Sequence, residues 1–274
     1  MTDPLSDPLP DPLPDADELG AALGGRWARV TVVAETASTN TDLLEDTSAP
    51  DRCVLVTEHQ AAGRGRLDRS WVSPPGAGLT FSVLLRPPVT LLRWGWLPLL
   101  AGVALYEAVS AVEGVQVALK WPNDLLAGSD ADQAASGKVA GILAQTSGEA
   151  VVIGIGLNVH THRADLPVES ATSLALCGAP ALNRGELLAA ILTRLDARYA
   201  QWVDVDGDAE ACGLAAAYRE ACSTVGQVVT VTETDGKVVR GTAIGIDSSG
   251  RLQVDVGGTT QVIGAGDVEH VRPA

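Results

Sequence analysis

Three arginines, Arg64, Arg66 and Arg69, fall within six residues in the segment Gly63-Arg64-Gly65-Arg66-Leu67-Asp68-Arg69-Ser70-Trp71, shortly after Gln60. Guanidinium groups this close repel one another unless an anion lies between them, and the glycines let backbone approach a ligand closely. Two further segments mix cations, amides and glycines: Lys120-Trp121-Pro122-Asn123-Asp124 and Gly137-Lys138-Val139-Ala140-Gly141-Ile142-Leu143. A fourth, Gly154-Ile155-Gly156-Leu157-Asn158, ends an apolar run. Taken singly, the first reads as an anion-binding loop, with a solvated basic loop as the alternative, and the fourth as a tight strand-end turn. Neither common nucleotide loop is present. Asp68 stands where Gly-x-Gly-x-x-Gly needs its last glycine, Lys138 is followed by Val139 rather than Ser or Thr, and Asp132 replaces the first glycine of a Walker loop.

Composition makes this local cluster conspicuous. The chain of 274 residues has a formal net charge of −15, yet the window Glu58 to Trp71 sets three arginines against only Glu58 and Asp68. So acidic a surface repels a phosphate backbone, and no nucleic-acid partner is expected. There are sixteen arginines but only three lysines, Lys120, Lys138 and Lys237, so two of the three fall inside the segments above. Cys53, Cys177, Cys212 and Cys222 are irregularly spaced with no Cys-x-x-Cys pair, which argues against a disulfide framework or a zinc site and for a reducing cytoplasm. The longest uncharged apolar stretch, Trp94 to Tyr106, contains Pro98 and is short of the ~20 residues that span a bilayer. No membrane partner is expected.

The elements that must position these segments are legible from periodicity. Residues 1–20, with six acids, no bases and five prolines, are expected to form a disordered tail. Strands are predicted at Trp27–Ala34, Arg52–Thr57, Leu79–Arg86, Val115–Lys120, Lys138–Thr146 and Ala150–Asn158. Ser38-Thr39-Asn40 caps a short helix through Leu43 and Leu44, one long helix is predicted from about Leu91 to Val112, and residues after Lys120 read as loop to Ser136. Asn183 and Glu186 open a helix whose Leu188, Ile191, Leu195, Tyr199 and Trp202 share a face, and another helix is predicted over Ala209–Ala221. Beyond Cys222, valine-rich runs separated by Asp235-Gly236, Ser248-Ser249-Gly250 and Gly257-Gly258 imply about five strands, a small β-barrel resting on the main domain. The expected division is tail 1–20, main domain 21–222 and barrel 223–274, an α+β fold with a mixed sheet and packed helices.

Read together and in order after Ser38-Thr39-Asn40, the four segments resemble the biotin protein ligase family. The likeness runs from about residue 30 to 160, and the C-terminal region, with Gly245-Ile246-Asp247 and Arg272, is similar to that family's small domain. The resemblance implies a biotinyl/lipoyl ligase-like catalytic domain and a barrel of the Src-homology-3 type. It implies an enzyme that forms biotinyl-5′-AMP from biotin and ATP, then transfers biotin to a lysine of a biotin carboxyl carrier domain of an acyl-CoA carboxylase. Lipoate or octanoate ligation and non-catalytic biotin binding are the alternatives. A repressor role is not expected, since about 26 acidic or mixed residues before the first strand are too few for a helix-turn-helix domain. Biotin, ATP and Mg²⁺ are the implied ligands, with no tightly bound prosthetic group.

The resemblance also assigns roles. Ser38, Thr39, Asn40, Gln60, Gly63 and Arg64 would surround biotin's ureido ring, with Gly141, Gly154 and Gly156 completing the pocket. Arg66 and Lys138 would be the catalytic cations at the biotin carboxylate and α-phosphate. Arg69, Trp71, Lys120, Asn123, Asn158 and Arg272 would hold the nucleotide, and Asp124 would help place Mg²⁺. The reactive adenylate implies a lid, expected in residues 63–76 and in the Ser129–Ser136 loop.

Overall fold

The computed structural model describes residues 12–67, 69–129 and 135–270. Its main domain is built on a seven-stranded sheet in the order β1-β2-β3-β7-β6-β5-β4. The strands are β1 (Arg29–Thr36), β2 (Cys53–Gln60), β3 (Gly78–Leu85), β4 (Val115–Lys120), β5 (Asp124–Ser129), β6 (Gly137–Ser147) and β7 (Ala150–Asn158). β1 and β2 are parallel, joined through α2 (Thr39–Glu45), and the remaining pairs are antiparallel.

Side chains alternate along each strand, so the sheet has two different faces. Val54, Val56, Phe81, Val83, Ile153 and Ile155 belong to the principal core beneath α3 (Leu97–Val109) and α4 (Arg184–Val203). Each such burial contributes about 1.5–3 kcal/mol. The opposite face begins apolar, where Cys53, Leu55, Leu84 and Val152 pack on Leu43 of α2. Farther along the same face the residues become Ser82, Thr80, Gly154, Gly156 and Gly141, matched across the strands in register. Hydroxyls and glycines replace branched side chains there, and a hollow opens.

Several expectations are corrected. Residues 12–20 are ordered rather than tail: Asp15 and Glu18 form a reciprocal capping box on α1 (Ala16–Ala22), and Leu13 and Leu19 are buried. Residues 1–11 lie outside the described residues. The stretch expected as loop after Lys120 contains β5, which pairs with β4 from Lys120 opposite Asp124 onward. Its buried Leu125-Leu126-Ala127 core is too short to show a period by itself. The expected single helix from Leu91 is a 3₁₀ turn, Leu91–Trp96, followed by α3, because Pro98 lacks an N–H and suits a helix's first turn. The helix expected from Ala209 begins at α5 (Leu214–Ala221), where Gly213 takes a left-handed conformation.

The second unit is a five-stranded antiparallel sheet in the order β11-β10-β9-β8-β12. Its strands are β8 (Val228–Glu233), β9 (Val238–Ile246), β10 (Leu252–Val256), β11 (Thr259–Ile263) and β12 (Gly266–His270). It docks through the start of α3 and the β4–β5 turn. Trp96 Nε1 donates to Ser248 O at 3.0 Å, and Trp121 Nε1 donates to Gly250 O at 3.2 Å. Gly95 is required there, because a Cβ would overlap the Ser249 carbonyl. The docking carries β12 to the rim of the hollow.

Candidate active site

The hollow is a cavity of about 600 Å³ whose lining includes Ser38, Gln60, Arg66, Trp71, Lys138 and, from β12, Asp267. Its floor is the glycine row. A Cβ at Gly154 would overlap Asn40 Oδ1, and one at Gly156 would overlap the Trp71 indole. At Gly141 a Cβ would lie 3.4 Å from both Trp71 and Lys138 Nζ. These glycines let the Asn40 side chain and the Trp71 ring lie against the sheet. The Trp71 indole N–H is buried and finds no hydrogen-bond partner among the described residues.

At one end is a corner of uncharged polar groups. Ser38 caps α2, accepting from Thr41 N at 3.4 Å, and Ser38, Thr39 and Asn40 are all buried. Thr39 N donates to Gln60 Oε1 at 2.8 Å, and the Thr39 hydroxyl lies 3.1 Å from the same oxygen. Gln60 Nε2 faces Gly63, where a Cβ would come within 2.8 Å of it. Asn40 is already committed: its Nδ2 donates to Leu143 O and Gln145 Oε1, and its Oδ1 accepts from Ser82 Oγ. It braces the corner from the cavity wall.

At the other end the cations gather. Arg66 Nη1 donates to Asn123 Oδ1 at 3.1 Å, and Asn123 is fixed by its own bond from Nδ2 to Ile142 O at 3.1 Å. Lys138 Nζ lies 2.6 Å from Asp124 Oδ1, an ionic contact without directed hydrogen-bond geometry. The Asp124 carboxylate thus acts as the lysine's counter-ion. Lys120 faces Asp124 across the β4–β5 pair. Burial draws the Arg66 guanidinium below its ordinary value, while the charges of Asp124 and Asp267 act in the opposite sense. Arg69 forms an ion pair with Asp267, whose hydrogen bond and charge hold its pKa above the ordinary value. A cluster of cations partly satisfied by carboxylates is suited to exchanging them for phosphate oxygens.

The segment bearing the arginines is itself a small hairpin. Arg64 bridges Ser70, Gly65 N donates to Arg69 O at 2.6 Å and Trp71 N donates to Gly63 O at 2.9 Å. The tight turn places Leu67 at φ 52°, in the left-handed region. Arg64 is exposed at the cavity edge, and Asp68 lies outside the described residues. Asn158 lines the cavity and is braced by donating through Nδ2 to Thr172 O at 3.0 Å. That bond, with Lys138 N to Ser170 O and Thr172 N to Lys138 O, turns residues 167–171 into a wall of the cavity. Arg272 and residues 130–134 lie outside the described residues. Among the described residues, no group of three or more His, Cys, Asp or Glu side chains could hold a metal ion.

Sequence reasoning therefore named both ends of the cavity but missed Ser82, Gln145, Asp267 and the 167–171 wall. Thr80 and Ser82 carried a signal: hydroxyls at alternate positions of an otherwise apolar strand. Asp267 carried none, since it meets Arg69 across 198 residues of chain.

Comparison with known proteins agrees with the geometry. The chain matches the Biotin/lipoate A/B protein ligase family over residues 30–160 and the Biotin protein ligase C terminal domain over residues 224–271. The biotin--[acetyl-CoA-carboxylase] ligase of Mycobacterium tuberculosis is 42% identical over 256 residues, covering 91% of each chain. The bifunctional ligase/repressor BirA of Bacillus spizizenii is 32% identical over 246 residues, 87% of this chain and 72% of that one. A solved biotin protein ligase from Aquifex aeolicus, in complex with biotin and ATP, superposes with a TM-score of 0.74 at 26% identity, covering 89% of this chain and 99% of that one. With likeness along nearly the whole chain, covering both the main domain and the C-terminal one, this chain belongs to the biotin protein ligase family.

Proposed function

We propose that this chain is a biotin protein ligase that makes biotinyl-5′-AMP and transfers biotin to one lysine of a biotin carboxyl carrier domain of an acyl-CoA carboxylase. The observation that carries the reading is the two-ended cavity. A neutral hydrogen-bonding corner at Ser38 and Gln60, with Thr39 bonded directly behind Gln60, suits a cyclic urea, which buries two N–H donors and one carbonyl. A cationic end at Arg66, Lys138 and Asn123 suits a carboxylate meeting a phosphate. An acid without the ureido ring leaves the corner unpaired, and such a mismatch costs far more selectivity than a change in chain length.

In the first step a carboxylate oxygen attacks the α-phosphorus, forming a C–O–P link as the bond to the β-phosphate breaks and pyrophosphate leaves. Two anions must approach, and Arg66 and Lys138 offset their repulsion. Arg69, Lys120, Asn123 and Asn158 hold the nucleotide, and Trp71 packs near the adenine. Lys138 exchanges Asp124 for the substrate oxygens, and Asp124 is the residue that would help hold Mg²⁺, which neutralises the pyrophosphate. The 63–71 hairpin closes over the anhydride and keeps water out. In the second step a neutral acceptor amine attacks the acyl carbon, an amide forms, AMP leaves with the C–O electron pair and the nitrogen loses a proton.

Incubation with biotin, MgATP and a biotin carboxyl carrier domain tests this directly. Intact-mass analysis is expected to show one biotinyl group on one lysine. An unmodified carrier, or equal transfer of lipoate, would overturn it.

A further inference from the structure

We propose that Ser82 is a positioning residue for recognition of the acid. Its hydroxyl sets the direction of the hydrogen bonds that orient Thr39 and Gln60. The proposal rests on the reading of that corner as the ureido site and extends it to a residue outside the cavity. Ser82 is fully buried in the middle of β3, between Leu55 and Gly154 on the neighbouring strands.

The proton positions follow from which atoms can only give and which can only receive. Leu143 O only accepts, so Asn40 must turn Nδ2 towards it, at 3.1 Å, and the same amide donates to Gln145 Oε1 at 2.8 Å. Asn40 Oδ1 is thereby left as a pure acceptor, 2.6 Å from Ser82 Oγ. Ser82 has one proton, and it goes to Asn40. The other contact of Ser82, 2.6 Å to Thr39 Oγ1, then needs the Thr39 proton, because two hydroxyl oxygens at that distance repel without one. The 2.6 Å contact takes that proton in preference to the 3.1 Å contact with Gln60 Oε1.

Two consequences reach the ligand. The Thr39 hydroxyl can only accept, and Gln60 is held by the Thr39 backbone N–H at Oε1, which leaves its Nε2 free to donate beside Gly63. A carbonyl flanked by N–H groups offers the matching acceptor and donor. Gly154 belongs to the same device, since only a glycine there leaves room for Asn40 Oδ1. Ser82 acts through Thr39 and Asn40 and touches no ligand. Without it the Thr39 proton turns to Gln60, and Asn40 Oδ1 is buried without a donor.

Biotin-dependent exchange of pyrophosphate into ATP tests the chain of bonds in wild type, Ser82→Ala, Thr39→Val and the double variant. Each single change is expected to raise the KM for biotin about tenfold or more, with the KM for ATP changed less than twofold. The double variant should be no worse than the worse single one, because both changes break the same chain. Ser82→Cys, similar in size but a weak donor, should fall between wild type and Ser82→Ala, and it carries the test if Ser82→Ala does not fold. A biotin KM within twofold of wild type, a parallel rise in the ATP KM, or multiplicative effects in the double variant would overturn the proposal. Absence of exchange in wild type would instead count against the reading of the site as biotin's.

Discussion

Lys138 shows how much depends on single atoms in this molecule. Its ammonium stands 2.6 Å from the Asp124 carboxylate, on a strand whose neighbouring Gly141 leaves the side chain room to lie along the floor. A fixed cation at developing charge is worth about 3–4 kcal/mol in the transition state, or roughly two to three powers of ten in rate. Lys138→Ala should therefore lower adenylate formation by about that factor. It should also destabilise the fold modestly, since it leaves Asp124 without its counter-ion. Single-turnover adenylation beside a thermal melt separates the two effects, and near-normal adenylation would remove Lys138 from its role. Asn40, by contrast, lines the cavity with its three side-chain hydrogen bonds already made inside the protein, so it braces the corner it borders.

At the scale of elements, the ends of the arginine hairpin are anchored by one ion pair. Arg184, at the start of α4, donates to both oxygens of Glu58 on β2 and to the Gly78 carbonyl at the start of β3. Leu13 N donates to the same carboxylate at 3.0 Å, so the segment leading into α1, the start of α4 and both flanks of residues 61–77 meet there. Burial alone would push the Glu58 carboxyl up, but the Arg184 hydrogen bond, the backbone N–H groups and the Arg184 charge hold it below its ordinary value of 4.5. A carboxylate with a depressed folded-state pKa stabilises above its unfolded value and loses that contribution as pH falls through the folded one. Glu58→Gln should accordingly lower Tm at pH 7, and the difference should shrink once pH drops below about 4.5. A difference that stays constant with pH would show that the ion pair is not responsible. Sequence periodicity found the sheet strands that are long or valine-rich, and it found the Asn183 and Ser38 caps. It could not find β5, whose apolar centre is three residues long, nor the α1 capping box inside a proline-rich acidic stretch. The motifs marked the cavity's two ends because glycines and cations are locally conspicuous. Ser82 and Asp267 act through contacts distant in the chain, which local spacing does not encode.

Across the whole molecule, the barrel matters because it completes the rim of the cavity, with Asp267 on Arg69 and the Trp96 and Trp121 indoles fixing its approach. Gly95→Ala places a methyl group on the Ser249 carbonyl, and overpacking of this kind typically costs about 1–3 kcal/mol. Calorimetry should show a lowered Tm, and the KM for ATP should rise as Asp267 is displaced from the rim; an unchanged Tm and KM would mean the docking is loose. The acidic surface elsewhere leaves the cavity as the place where positive charge is concentrated against an overall charge of −15. The central claim is that this one cavity brings the carboxylate of biotin to the α-phosphate of ATP. Exchange of labelled pyrophosphate into ATP, without any acceptor protein, measures that event alone. The exchange should require biotin and magnesium, be abolished by Arg66→Ala and persist when no carrier is present. Exchange that proceeds equally without biotin, or that survives Arg66→Ala unchanged, would contradict it.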